Sequence, residues 1–489
     1  MKKTLTLILA LTVCLCLLCA CGDVEIGGPA PEPAQSAPAK SGGTVNISFS
    51  GSSAKADGNG VAIHEGYVLI TSPGEYSLSG SYEGQLRVDT GEANGDVYLV
   101  LNGVELFCAN DCAINATQSK NLRIVAADGT ENTVISGTEA DMAMVNDASS
   151  GAAIFSEDDI HISGGGALKV CGYINNGIGG KDDISIESAA LSVIAANNGI
   201  RGSESVTVNS GSIAVTAGND GIKTTSAIKD GKGFVEINGG TVAVSSVGDG
   251  ISAESDLRVN GGTVTVATTG DSTVLSCKAM KAKGSLSIGG GAVSLSSSDH
   301  CIHSTLDVNI SGGELTLSSS VSKCVSAHGA LNISDGVITA DAGDDCLESK
   351  LAVNISGGEI NITAANDGIK AGEKGNGFTA PVGEAHITGG SVIISAKADP
   401  VDAKAAFIVD GGTVFGVGSA NNVKGFTGGT QKGIACSFSG TAGSTLSVGK
   451  LASMEPAFGF NCVIFSSADI ASGSGYEVTQ GSNSVTAQA

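Results

Sequence analysis

Apolar and polar residues alternate in short bursts along most of this chain, as in Ile184-Ser185-Ile186, Val206-Thr207-Val208, Leu257-Arg258-Val259 and Thr263-Val264-Thr265-Val266. A period of two predicts strands with one face turned inward. Between about Ala153 and Gly412 the bursts are punctuated by a repeated word, a small residue followed by an aliphatic one. It occurs at Asn176-Gly177-Ile178, Asn198-Gly199-Ile200, Asp220-Gly221-Ile222, Asp249-Gly250-Ile251, His300-Cys301-Ile302, Lys323-Cys324-Val325, Asp345-Cys346-Leu347 and Asp367-Gly368-Ile369. The small positions 177, 199, 221, 250, 279, 301, 324, 346, 368 and 400 step by 22, 22, 29, 29, 22, 23, 22, 22 and 32 residues.

A second word, the pair in Gly239-Gly240, Gly261-Gly262, Gly290-Gly291, Gly312-Gly313, Gly357-Gly358, Gly389-Gly390 and Gly411-Gly412, keeps the same beat. Two registers locked together, with short strands and turns in each repeat, predict an all-β parallel β-helix with coils of about 22 residues. Helical solenoids need long stretches of good helix formers, whereas these repeats are rich in Gly, Ser, Thr and β-branched residues. A propeller blade needs roughly forty residues, about twice this period. In such a stack each column of the sequence becomes a ladder in space.

The chain opens on Lys2-Lys3, an apolar run from Leu5 to Leu18 and then Cys19-Ala20-Cys21. That pattern reads as a bacterial lipoprotein signal over residues 1–21 with Cys21 as the lipidated residue. The expected location is extracytoplasmic, on the outer face of the cell membrane and held through the lipid alone. Residues 22–43, rich in Pro, Ala, Ser and Gly, read as a tether. Residues 44–430 are expected to form the β-helix, and 431–489 its C-terminal cap. Residues 44 to about 150 alternate but hold the beat poorly, as end coils covering an open core should. Three coils are longer than the rest, near Thr224 to Gly233, Thr268 to Ser276 and Gly372 to Gly383. Such insertions project as loops and commonly mark a binding face.

Without Lys2 and Lys3 the chain has 24 basic against 49 acidic residues, a formal charge near −25. Nucleic acid is excluded as a partner by that balance. Divalent cations, neutral ligands or anions held through a cation are not. Of the 13 cysteines, Cys14, Cys16, Cys19 and Cys21 fall in the signal. Cys301, Cys324 and Cys346 share the column that elsewhere holds Gly or Ala, and are expected as buried plugs, with a disulfide or a metal as alternatives.

The residues resemble a known family, the carbohydrate-binding, pectate-lyase-like β-helix lipoproteins of anaerobic Gram-positive bacteria. The resemblance is carried by Ile70-Thr71-Ser72-Pro73-Gly74-Glu75-Tyr76-Ser77-Leu78-Ser79-Gly80, by Val97-Tyr98-Leu99-Val100-Leu101-Asn102-Gly103-Val104 and by Asp128-Gly129-Thr130-Glu131-Asn132-Thr133. It extends to the word Asn-Asp-Gly-Ile-Lys at Asn219 to Lys223 and Asn366 to Lys370, and to the segment around Phe465-Ser466-Ser467. The resemblance implies a right-handed parallel β-helix, bound calcium and affinity for cell-wall polysaccharides such as cellulose and pectin, without catalysis. The chain departs from it where Lys278, His300 and Lys323 replace the acidic member of the word.

Acidic columns are the candidate chemistry. In one, Asp158-Asp159 and Asp182-Asp183 fall in register, with Glu204 next. In another, Asp344-Asp345, Asn366-Asp367 and Asp399 stack on consecutive coils, with Glu348 and Asp402 three residues further on in two of them. A smaller cluster joins Asn219-Asp220, Asp249 and Glu254. Like charges about 5 Å apart repel by roughly 1 kcal/mol in water, and by several times that when partly buried. Calcium is the expected neutraliser, because it accepts six to eight hard oxygens in loose geometry. The alternative is a solvated face with interleaved lysines such as Lys223 and Lys370. Asn175, Asn197 and Asn219 predict an amide ladder from coil to coil. The six histidines, His300 and His303 included, lack zinc-site spacing.

The expected function is therefore binding of pectin or cellulose by a monomeric, non-catalytic, calcium-stabilised surface lipoprotein. With no tryptophan and six tyrosines, recognition falls to polar ladders and calcium-bridged uronates. A surface adhesin or spacer with a protein partner is the alternative. A calcium-dependent lyase is the remaining one; Arg201 and Arg258 are the arginines of the regular coils, and no base pairs clearly with an acidic cage.

Overall fold

The inward aliphatic positions stack into one continuous core. Ile178, Ile200, Ile222, Ile251, Met280, Ile302, Val325, Leu347 and Ile369, the aliphatic members of the repeated word, are all 0% exposed. Each such side chain contributes about 1.5–3 kcal/mol by leaving water. The structure, a computed structural model, describes residues 43–144, 151–226, 231–372, 383–419 and 425–489; the signal, Cys21 and the tether lie outside them. Residues 44–489 form one compact unit. Among the described residues there is no α-helix, only short 3-10 turns at Gly91–Ala93 and Glu139–Met144.

The architecture is all-β with long parallel sheets. Each strand of the repeat pairs in parallel with its counterpart one coil on: Ile200 with Ile222, Val206 with Val235, Val215 with Val244. Three ladders result. The shortest strands, from Asn176–Gly180 and Ile200–Gly202 through Ile369–Ala371 to Val401–Ala403, belong to a 15-stranded sheet. The other two ladders, with strands such as Ser205–Val208 and Ser212–Ala217, merge into a 28-stranded sheet. Val308–Ser319 and Leu331–Ala342, 12 residues each, run unbroken through both. The Gly-Gly word marks the corner between those two ladders. Its second glycine lies in the left-handed region, at φ 81° for Gly240 and 89° for Gly358, where other residues are strained.

The irregular opening segment combines two antiparallel pairings, Val45–Gly51 with Ser53–Ala56 and Val61–His64 with Tyr67–Ile70, with strands already in parallel register. Val45–Gly51 pairs with Gly74–Glu83, and Gly74–Glu83 with Val97–Cys108. The beat fails there because strands of 10 and 12 residues turn the corner without the Gly-Gly word. At the other end the pairing becomes antiparallel. Phe460–Ser466 lies antiparallel to both Thr413–Gly418 and Gly433–Gly440. A separate four-stranded sheet, Leu446–Val448, Ala452–Met454, Gly475–Gln480 and Asn483–Gln488, encloses its own apolar cluster with Phe438, Phe460 and Val478.

The small-residue column is explained by the side chains opposite it. A methyl group on Gly177, Gly199, Gly221 or Gly250 would lie 2.2 Å from Cγ1 of Val193, Val215, Val244 or Val266. Where the column carries Ala279, Cys301 and Cys324, that opposing register holds Leu295, Leu317 and Ala340. Leucine bears a single γ carbon and alanine none. Cys301, Cys324 and Cys346 are 0% exposed plugs, and all nine cysteines of the described residues are free thiols. Burial, the first cause, pushes the Cys346 thiol well above its ordinary range.

Candidate functional site

The outward position of each short strand lies one residue after the inward aliphatic, so this face is a single column. In register it reads Asn115, Phe155, Gly179, Arg201, Lys223, Ser252, Lys281, His303, Ser326, Glu348, Lys370 and Asp402. The turn residues preceding the strands line one edge, and those following line the other. Two insertions, Thr224 to Gly233 and Gly372 to Gly383, leave the chain directly after short strands. The third, Thr268 to Ser276, precedes one. The insertions therefore flank both edges of the short-strand face, and residues 227–230 and 373–382 lie outside the described ones.

Along the preceding edge, side-chain oxygens accept the next coil's backbone N–H. Asp220 Oδ1 receives Asp249 N at 2.8 Å, Asp249 Oδ1 receives Lys278 N at 2.9 Å, Asp345 Oδ1 receives Asp367 N at 3.2 Å and Asp367 Oδ1 receives Asp399 N at 3.0 Å. The predicted amide ladder runs beside them. Asn197 Nδ2 donates to Asn175 Oδ1 at 2.8 Å, and Asn219 Nδ2 to Asn197 Oδ1 at 3.1 Å.

These carboxylates are buried: Asp345 is 0% exposed, Asp249 2%, Asp220 6%, Asp402 6% and Asp367 8%. A buried carboxylate needs a charged partner, and lysines of the outward column supply it. Lys223 lies 2.7 Å from Asp220, Lys281 2.7 Å from Asp249 and Lys370 2.7 Å from Asp345. Lys404 pairs with Asp402. Lys323 bonds Asp344 at 2.9 Å and lies 3.8 Å from Glu348. Burial pulls Lys323 down, but the carboxylates of Asp344, Glu348 and Asp345 together hold it above its ordinary range. Glu348 and Asp402 do not meet, because Lys370 stands between them in the column. Glu254 lies on the following edge, beside Lys283, away from Asp249. Burial, with Asp345 and Asp402 nearby, pushes the Asp367 carboxyl up to about 6.

The column of Asp158, Asp182 and Glu204 differs. It lies on the following edge, three residues beyond Phe155, Gly179 and Arg201. Glu204 pairs with Lys232 and Asp183 accepts the Ser205 hydroxyl at 2.6 Å. Burial, then Glu204, Asp159 and Asp158, raise the Asp182 carboxyl. Asp158 Oδ2 accepts Ser119 N at 2.9 Å, while Ser119 Oγ, in a residue 1% exposed, is buried without a partner. Of the three columns this is the one whose carboxylates face one another with least lysine between them, and its residues fit a hard cation best. Among the described residues no group of three histidine, cysteine or acidic side chains is arranged to hold a metal ion, so backbone carbonyls and ligand oxygens would have to complete such a shell.

The middle coils, where the acidic word is lost, carry a histidine cluster that the spacing along the chain did not reveal. The His300 and His303 rings lie 5.4 Å apart, and His303 and His328 5.1 Å apart. Burial pushes His300 down to about 4 and His303 to about 3. Lys278 fills the turn position and pairs with Asp299 at 2.6 Å. Arg258 is not on this face; it stands on Leu257–Val259, 2.6 Å from Asp256.

A stack of parallel coils presenting one long polar and charged face is the architecture of an extended-ligand binder. The carbohydrate-binding domain-containing protein family matches residues 64–323 and 313–452, most of the chain, and the chain belongs to it. A carbohydrate-binding domain-containing protein of Acetivibrio thermocellus is 34% identical over 138 residues, 28% of this chain and 48% of that protein; the match thus spans about half the relative's length. A solved structure of the polysaccharide lyase-like protein from C. thermocellum, as its gadolinium derivative, is 30% identical, with a TM-score of 0.41 over 59% of this chain and 96% of its own.

Proposed function

We propose that this chain is a non-catalytic, cell-surface lipoprotein that binds plant cell-wall polysaccharide, pectin or cellulose, along the outward face of a right-handed parallel β-helix. Lipidated Cys21 anchors it outside the membrane, residues 22–43 tether it, and it acts as a monomer. The observation that carries the reading is the continuous register from Asn115 to Asp402 on one ladder, in which every position but Phe155 and Gly179 is polar or charged, in a chain of a carbohydrate-binding family. Coils repeat about every 4.8 Å, so a linear polymer lying along the stack meets a similar set of hydrogen-bonding groups at every step.

Calcium belongs to this reading at the column of Asp158, Asp182 and Glu204, where it would neutralise the facing carboxylates and bridge to uronates. At Asp220, Asp249 and Asp345 the lysine ammoniums already supply the counter-charge. The outward lysines Lys223, Lys281 and Lys370, each held by a carboxylate, fit this non-catalytic reading.

The test is retention of the soluble portion, Ser41 to Ala489, on insoluble cellulose and on calcium-free immobilised pectate, with calcium supplied or chelated. Saturable retention on either polymer is expected, with pectate the more sensitive to chelation. No retention on any polymer under any condition, with circular dichroism unchanged, would sink the proposal and bring forward a protein-binding adhesin or spacer.

A further inference from the structure

The histidine cluster of the middle coils belongs to none of the acidic columns. His303 stands on the outward column between Lys281 and Ser326, and its Nδ1 is buried with no hydrogen-bond partner among the described residues. A buried imidazole nitrogen left unpaired costs stability unless something binds it. His300, in the turn before the same strand, has its ring centre 5.4 Å from that of His303. Its Nδ1 is engaged by Ser322 Oγ at 2.7 Å and Lys323 N at 3.4 Å, so Nε2 is the nitrogen left for a ligand. His328 packs edge-on against His303 at 5.1 Å and steadies that ring.

Two imidazoles on one tetrahedral ion, each nitrogen about 2.0–2.1 Å from it, place their ring centres roughly 5 Å apart. The spacing of His300 and His303 meets that requirement. The surrounding charge allows a cation, because Lys278, Lys281 and Lys323 lie 2.6, 2.7 and 2.9 Å from Asp299, Asp249 and Asp344, which offset their repulsion. We infer that His300 and His303 together bind one divalent transition-metal ion of the zinc, nickel or copper class, at a site separate from the acidic columns. Imidazole nitrogen suits those ions, whereas calcium takes oxygen. Ser322 holds the far nitrogen of His300 and so orients the ring, as outer-shell partners of metal-binding histidines do. Among the described residues no third histidine, cysteine or acidic side chain is arranged to join the pair. Water or donor atoms of a bound molecule would complete the shell, leaving the ion open on the short-strand face. The inference does not depend on the polysaccharide-binding reading.

The experiment is calorimetric titration of the soluble portion, Ser41 to Ala489, with zinc in excess calcium, which keeps the acidic columns from competing. One equivalent is expected to bind. Outer-shell changes alone cost 10–100-fold in metal affinity, so His300→Gln and His303→Gln, which remove ligands, are each expected to lose at least about tenfold. Circular dichroism and the thermal midpoint check that both variants are folded. On wild type, nitrogen-resolved NMR is expected to show the His300 and His303 signals shifting with one equivalent of zinc while those of His161 and His386 stay in place, a readout that needs no variant. No zinc binding in excess calcium, affinity unchanged in both folded variants, or His300 and His303 signals that do not move would each overturn the site.

Discussion

Lys281 Nζ lies 2.7 Å from Asp249 Oδ2, the two residues standing on consecutive coils, and the Asp249 side chain is 4% exposed. Asp249 Oδ1 also accepts the Ser276 hydroxyl at 2.6 Å and Lys278 N at 2.9 Å. Removing the ammonium alone strands a buried charge, so Lys281→Met is expected to destabilise the chain by about 3 kcal/mol. Asn keeps the Oδ1 acceptor, and the double variant Asp249→Asn, Lys281→Met is expected to recover most of that loss. Urea unfolding of both variants decides it: equal midpoints for the single and double variants would contradict the pairing.

Asp367 makes the opposite demand on pH. Its folded value, about 6, lies above the ordinary 3.8, so between those values the folded chain binds a proton that the unfolded chain does not. The contribution of this group to stability is greatest at low pH and falls as pH rises through about 4 to 6. Asp367→Asn retains the acceptor for Asp399 N and is expected to be the more stable form at pH 7, by about 1–3 kcal/mol, and equal to wild type near pH 3.5. Thermal midpoints across that range read the difference directly. A variant less stable than wild type at pH 7 would show that the ionised carboxylate is held by a cation.

In the middle coils, burial holds His300 at about 4 and His303 at about 3. Both lie below the ordinary 6.5, so the stability they contribute is complete above that value and is lost as pH falls toward 4. Both rings are expected to be neutral at pH 5 by nitrogen-resolved NMR. A midpoint above 6 for either would contradict the packing of the two imidazoles 5.4 Å apart.

A methyl group on Gly199 meets Val215 Cγ1 at 2.2 Å and Gly221 O at 2.6 Å. Gly199→Ala is expected to cost about 1–3 kcal/mol through overpacking. Adding Val215→Leu, which reproduces the Ala279 and Leu295 combination, is expected to return part of that. Guanidinium unfolding of the single and double variants measures it, and a harmless Gly199→Ala would refute the steric account of the column.

Much of the fold was legible because a coil that repeats in space must repeat in sequence: Gly177, Gly199 and Gly221 share an environment and therefore a residue. The opening segment was harder, since Gly74–Glu83 and Val97–Cys108 build the same coils without the corner glycines. For the site, the acidic columns were readable, as Asp345, Asp367 and Asp399 fall in register. Lys223 and Lys370 were legible as lysines interleaved with them, but the carboxylate each reaches was not. Lys370 reaches back to Asp345 and Lys281 to Asp249, whereas Lys223 turns to Asp220 on its own coil. Which way a long side chain leans depends on local burial that spacing does not encode.

Parallel ladders extend by copying, and every coil ends in unpaired N–H and C=O groups that would accept another. Thr413–Gly418 is the strand at which this chain stops doing so, because Phe460–Ser466 docks on it running the other way. A reversed strand cannot be followed by a further coil in the same sense. The closing segment thus works as a terminator, fixing the length of the face at the point where the direction of pairing changes.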